Sequence, residues 1–246
     1  MLTRMQEDGS TLAEWFAQPT GQALLAKERD AVADALECVF GVQCLQVGAW
    51  GPTGLFLDLA RTQRRAWLSA GARVEGAIRS DPASLPIQSD SIDALILPHT
   101  LEFTDDPHQV LREAERVLVA EGTLVILGFE PLGSWALRHR LTGGGYPPGL
   151  ARFLAERRLA DWLRLLSFDV DPARRHLYTL PFARAQSGRL GRWAERAGRS
   201  VWPHLSGAYL LVAKKRVYSM TPMRLRLRPA PAVLGGLAEP TTRVGT

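Results

Sequence analysis

Ser91-Ile92-Asp93-Ala94-Leu95-Ile96-Leu97-Pro98 reads as a buried β-strand, an apolar run of strand length stopped by its own proline. Asp105-Asp106-Pro107 follows, an acidic cap with proline at the first helical position, which predicts a helix start. Val110, Leu111, Ala114, Val117 and Leu118 form the apolar stripe of that helix. Glu121-Gly122 ends it, and Thr123-Leu124-Val125-Ile126-Leu127-Gly128-Phe129 is a second strand. Strand, helix, strand in this order implies parallel pairing through a right-handed crossover, and so an α/β fold.

Upstream, residues 11–18 and 21–39 read as two helices, the second with Leu25, Val32, Leu36 and Val39 on one face. Gln43 to Val47 is a short strand that runs into the turn-rich loop Gly48 to Gly54. Residues 55–60 then read as a helix, and 65–69 and 73–78 as strands. Downstream, Gly143-Gly144-Gly145-Tyr146-Pro147-Pro148-Gly149 is a breaker-rich loop. A helix over 159–166 carries Trp162. A strand is expected within 168–178, a basic amphipathic helix over 190–202 and a last strand over 208–214. The organisation expected is an N-terminal helical segment (1–40), a main domain (41–216) with a cap insertion at about 131–205, and a basic, proline-rich tail (217–246).

Composition sets the outer limits. The 246 residues are 46% hydrophobic and 22% charged, ordinary for a globular protein and long enough for a substantial core. No apolar run approaches the ~20 residues of a membrane span. Acids stand where a signal peptide would be apolar, and only Cys38 and Cys44 are present. A reduced, cytoplasmic protein is therefore expected. Residues 1–130 carry 10 Lys+Arg and 19 Asp+Glu (−9), whereas 131–246 carry 20 and 6 (+14). This asymmetry fits a basic face for anions such as nucleic acid. It fits equally an arginine-rich composition with scattered charges, since only Lys27, Lys214 and Lys215 are lysines.

Ligands of open parallel sheets sit outside the carboxyl ends of the strands. Those ends are Gln46-Val47-Gly48-Ala49-Trp50-Gly51, Ser80-Asp81-Pro82-Ala83-Ser84-Leu85-Pro86, Pro98-His99-Thr100-Leu101-Glu102 and Gly128-Phe129-Glu130. Across 81–130, the run Asp81 to Ile87, Asp90-Ser91-Ile92-Asp93-Ala94, Leu101-Glu102-Phe103, Asp105-Asp106-Pro107, Leu111-Arg112-Glu113, Arg116-Val117-Leu118 and Glu121 to Ile126 resembles the central half of class I S-adenosylmethionine-dependent methyltransferases (methyltransferase type 11 domain). The whole chain resembles, more narrowly, the bacterial YafS-type methyltransferase-domain proteins. It does so through Leu45 to Gly48, His99-Thr100-Leu101, Gly128 to Leu132, Asp161 to Leu166 and the basic segment 212–222.

The resemblance implies a Rossmann-like, seven-stranded, mostly parallel sheet with helices on both faces and a C-terminal antiparallel hairpin. It implies S-adenosyl-L-methionine as cofactor and methyl transfer to an acceptor of unknown identity. Asp81, beside Pro82, would accept from the adenine amino group. Gly48 and Gly51 would let the backbone pass close to the methionine part, and Pro98 and His99 would border the cofactor. This sequence departs from the family pattern in its first loop, where Gln46 replaces an acid, Trp50 a glycine and Pro52 another. A second departure is the absence of a ribose-gripping acid around Leu68-Ser69-Ala70. Each charged hydrogen bond lost to a ligand hydroxyl costs about 1.5–3 kcal/mol. The alternative reading is therefore a methyltransferase-fold protein that binds or regulates without catalysis, including by contact with RNA.

His99 is the candidate catalytic base, against a wall histidine that is only hydrogen-bonded. Glu102 is a second candidate base, against an acid that stabilises a helix dipole, and Asp93 reads as structural. No Gly-x-Ser-x-Gly elbow, phosphate loop or metal-ligand spacing of histidines competes, so no metal is expected.

Overall fold

In chain order the elements are α1 (Pro19–Leu36), β1 (Phe40–Val47), a 3-10 turn (Leu57–Leu59), β2 (Arg61–Ser69), β3 (Ile78–Arg79), β4 (Ile92–Pro98), α2 (Thr100–Phe103), α3 (Pro107–Val117), β5 (Leu118–Phe129), α4 (Ser134–Leu141), α5 (Glu156–Leu165), β6 (Phe168–Val170), β7 (Arg174–His176) and β8 (Ala208–Lys215). They come from a computed structural model that describes residues 12, 14–48, 50–52, 54–69, 77–143, 147–176, 206–217 and 245. The expected helix over 190–202 and nearly all of the tail lie outside the described residues.

The strands form one sheet in the order β3-β2-β1-β4-β5-β8-β6, with β7 also on β8. Pairing is parallel from β3 through β5 and antiparallel between β5 and β8. Eight segments are present where seven strands were expected, for a local reason. β6 and β7 both run antiparallel to the same edge of β8, and the register slips by one residue between Val170↔Ala213 and Arg174↔Leu210. Asp171-Pro172-Ala173 separates them, and proline cannot donate to the ladder. The two segments occupy one strand position, interrupted by a bulge.

Side-chain alternation puts a core on each face. Ala94 and Ile96 of β4, with Val125, Leu127 and Phe129 of β5, meet Leu24, Leu25, Val32 and Leu36 of α1. Leu95 and Leu97, with Leu124 and Ile126, meet Val110, Leu111, Ala114 and Val117 of α3 and Leu159 and Leu163 of α5. Helices thus cover both faces. Asp93 ties strands together, accepting from the Val42 and Gln43 amides at 2.9 and 2.8 Å.

Three expectations change. α3 ends at Val117 and β5 begins at Leu118, rather than at Glu121-Gly122 and Thr123, because Leu118 is already extended and pairs with Ile92 of β4. β2 starts at Arg61 rather than 65, because its polar and largely exposed first half pairs in parallel with β1 from Phe40 onward. The helix expected over 55–60 is only the 3-10 turn: six residues between Gly54 and the start of β2 leave no room for more. No helix among the described residues is long and apolar enough to cross a membrane.

Candidate functional site

Strand order reverses between β1 and β4, since β2 and β3 lie to one side and β5 to the other. Ligands of such sheets bind at this crevice, outside the carboxyl ends. Here β1 delivers Gln46, Gly48, Trp50 and Gly51, and β4 delivers Pro98, His99 and Thr100. Gly48 has φ +114, and a Cβ there would stand 2.5 Å from Thr100 Oγ1, so glycine is required on both counts. The Thr100 hydroxyl donates to the Val47 carbonyl, stitching the two strand ends together.

His99 follows in a left-handed conformation, φ 53. Its ring is sealed, at 0% exposure, between Trp50 and Phe129, with centroids at 4.1 and 4.2 Å. Nδ1 lies 2.6 Å from Glu102 Oε2, and Nε2 lies 2.8 Å from Glu28 Oε1. Glu102 Oε1 accepts the Phe129 amide at 2.8 Å, and Glu28 Oε2 accepts the Trp50 indole N–H at 2.7 Å. One buried chain of hydrogen bonds therefore joins α1, the β1 loop, the β4 end, α2 and the end of β5. Burial alone would depress the imidazole, but the Glu28 and Glu102 carboxylates outweigh it and raise its pKa to about 9. The ring is then an imidazolium at neutral pH that donates from both nitrogens. Burial raises the Glu102 carboxyl above the ordinary range, against the pull of His99.

Gln46 is fully buried; its Nε2 donates to the Gly48 carbonyl at 3.3 Å, while Oε1 finds no partner among the described residues. Gly51, at φ +76, seats the loop on Leu25 of α1. Pro98 closes β4 inside the core. Asp81 and buried Pro82 stand apart, past the end of β3. Asp81 is exposed, its Oδ1 caps its own turn by accepting the Ala83 amide at 2.9 Å, and Oδ2 makes no hydrogen bond to the described residues. The structure thus gathers Gln46, Gly48, Trp50, Gly51, Pro98 and His99 at one crevice, with Asp81 and Pro82 two strands along the same edge.

Two residues escaped the sequence reading. Glu28 sits among the buried Leu24, Leu25 and Val32 of α1; an acid on an apolar helix face was the available signal. Ser69 ends β2, 2% exposed, and its hydroxyl has no partner among the described residues. Unpaired buried polar atoms are rare in folded proteins. Two of them, Gln46 Oε1 and Ser69 Oγ, lie at the carboxyl ends of adjacent strands, where a polar ligand would supply the missing partners.

Residues 38–126, a segment running from the start of β1 into β5, match the family model described as a methyltransferase domain. The uncharacterised protein YafS of Escherichia coli is 36% identical over 152 residues, 58% of this chain and 57% of that protein. An uncharacterised protein of Mycobacterium bovis is 32% identical over 183 residues, 71% of this chain and 63% of that one. The matches span less than two thirds of the length of these curated relatives. Among solved structures, a S-adenosylmethionine-dependent methyltransferase of Thermotoga maritima, described as a possible histamine N-methyltransferase, superposes with a TM-score of 0.57 at 16% identity. That superposition covers 83% of this chain and 93% of that one. The sheet is the Rossmann-like methyltransferase fold.

Proposed function

We propose that this chain, whose residues 38–126 match the methyltransferase-domain family, is an S-adenosylmethionine-dependent methyltransferase whose cofactor binds over the carboxyl ends of β1, β2 and β4. The observation that carries the reading is a coincidence. The matched segment encloses the sheet's switch point, and the buried Gln46 Oε1 and Ser69 Oγ at that edge lack partners among the described residues.

When bound, the cofactor supplies an electrophilic methyl group on a sulfonium. The chain's residues bind and orient. Gln46 and Ser69 offer an acceptor and a hydroxyl in place of the acids found in the wider family. The backbone at Gly48 and Gly51 permits close approach. Asp81 presents its second carboxylate oxygen to an exocyclic amine, and Pro82 and Pro98 supply apolar walls. His99 is a positioning residue in this reading: as an imidazolium with both N–H groups engaged it has no lone pair for a substrate proton. Rate enhancement then rests on orienting an oxygen, nitrogen or carbon nucleophile and excluding water.

Calorimetry with S-adenosylmethionine and S-adenosylhomocysteine tests this directly. Binding is expected, weakened by about 10–150-fold in Asp81→Ala, the equivalent of one charged hydrogen bond. No heat from either ligand at millimolar concentration would turn the reading to a non-catalytic module on the same fold.

A further inference from the structure

The crevice where a ligand belongs is filled by the protein's own side chains. Trp50 is 1% exposed although it lies in a loop, three residues past the end of β1. Its indole lies tilted against His99 at 4.1 Å, meets Phe16 edge-on at 4.7 Å and Phe129 at 5.9 Å, and donates to Glu28 at 2.7 Å. Thr100 closes the remaining gap against Gly48. The β1 loop is held down from the α1 side as well, by Leu25 beneath Gly51.

We propose that Trp50 is a retractable plug of the β1/β4 crevice, latched by Glu28, and that a nucleoside-type ligand enters by displacing the indole. Three features fit a movable part rather than a fixed core residue. The side chain comes from a loop whose Gly48, Gly51 and Gly54 all have positive φ, at +114, +76 and +64, so the flanking backbone is built from residues with wide conformational freedom. Its indole N–H bonds to a different element, α1. Glu28 Oε1 keeps its donor, the His99 N–H, so the carboxylate stays anchored when the indole leaves and Oε2 is released. The incoming ligand would cover the side of the His99 ring that Trp50 now covers. The inference rests on the cofactor reading above, and it assigns to that site a closed resting state controlled by α1.

The test uses the full chain and S-adenosylhomocysteine as probe. Calorimetry compares wild type with Glu28→Gln, which keeps side-chain shape and weakens the latch, and with Trp50→Phe, which keeps an aromatic ring and removes the indole N–H. A plug predicts affinity that rises about tenfold or more in either variant even as thermal stability falls. A purely structural Trp50 would lower both together. In parallel, 5-fluorotryptophan labelling follows the Trp50 fluorine signal, assigned by its loss in Trp50→Phe from the seven tryptophans of the chain. On ligand binding to wild type this signal is expected to acquire a solvent-isotope shift, the mark of a newly hydrated indole. Ligand that binds while Trp50 stays dry, or affinity that drops in both variants, overturns the plug and leaves the cofactor reading standing. Absence of binding in wild type and both variants overturns the cofactor reading, and the plug with it.

Discussion

His99 carries the largest electrostatic stake of any single side chain in the site. An imidazole has an unfolded pKa near 6.5, and in the folded chain Glu28 and Glu102 hold it at about 9 against the opposing effect of burial. A pKa raised by folding adds stability that is complete below the unfolded value and fades as pH climbs through the folded one. Wild type should therefore lose on the order of a few kcal/mol between about pH 6.5 and 9. Denaturant titrations across that range should record the slope, and His99→Gln should flatten it. This histidine stood out in the sequence as the titratable group nearest a strand end. Its partner Glu28 did not, because it lies 71 positions away and only the folded chain brings the two within 2.8 Å. Gln46, Trp50 and Pro52 were legible as departures from a family motif, and Gly48 as a residue that keeps to it. That the tryptophan turns inward is a property of the packed aromatic cluster, which no local spacing encodes.

Among the elements, α3 was read most directly from sequence and β2 and β3 least. Asp106 accepts the Gln109 amide at 3.0 Å, and Pro107 opens the helix, as the residues Asp105-Asp106-Pro107 predicted. Asp106→Ala should cost about 1 kcal/mol through loss of that cap, measured by chemical denaturation. Capping is local chemistry between neighbours, so a sequence displays it. β2 begins with Arg61, Gln63, Arg64 and Arg65 on exposed positions, and its strand character comes from pairing with β1 rather than from composition. The 3-10 turn ahead of it carries too few residues for the helix its apolar letters suggested.

Across the whole molecule, the last strand is anchored to the first half of the domain by one buried cation. Lys215 Nζ donates to Asp90 Oδ1 at 2.8 Å and to the carbonyls of Glu115 and Leu118 at 2.7 and 2.9 Å, with Glu115 Oε1 at 3.2 Å. Lys215→Met should therefore destabilise by about 2–4 kcal/mol, because two carbonyls at the end of α3 lose their donor. Matched denaturation curves for variant and wild type would measure it. Lysine on a strand reads as solvated from sequence, and only the closure of β8 against α3 makes it interior. The sheet's two borders have a consequence for association. On one side β3 offers two residues, and on the other the Asp171-Pro172-Ala173 kink breaks the rail of free amides and carbonyls. The β6/β7 flank therefore presents no long, straight template among the described residues, which guards that edge against recruiting further copies of the chain into fibrils.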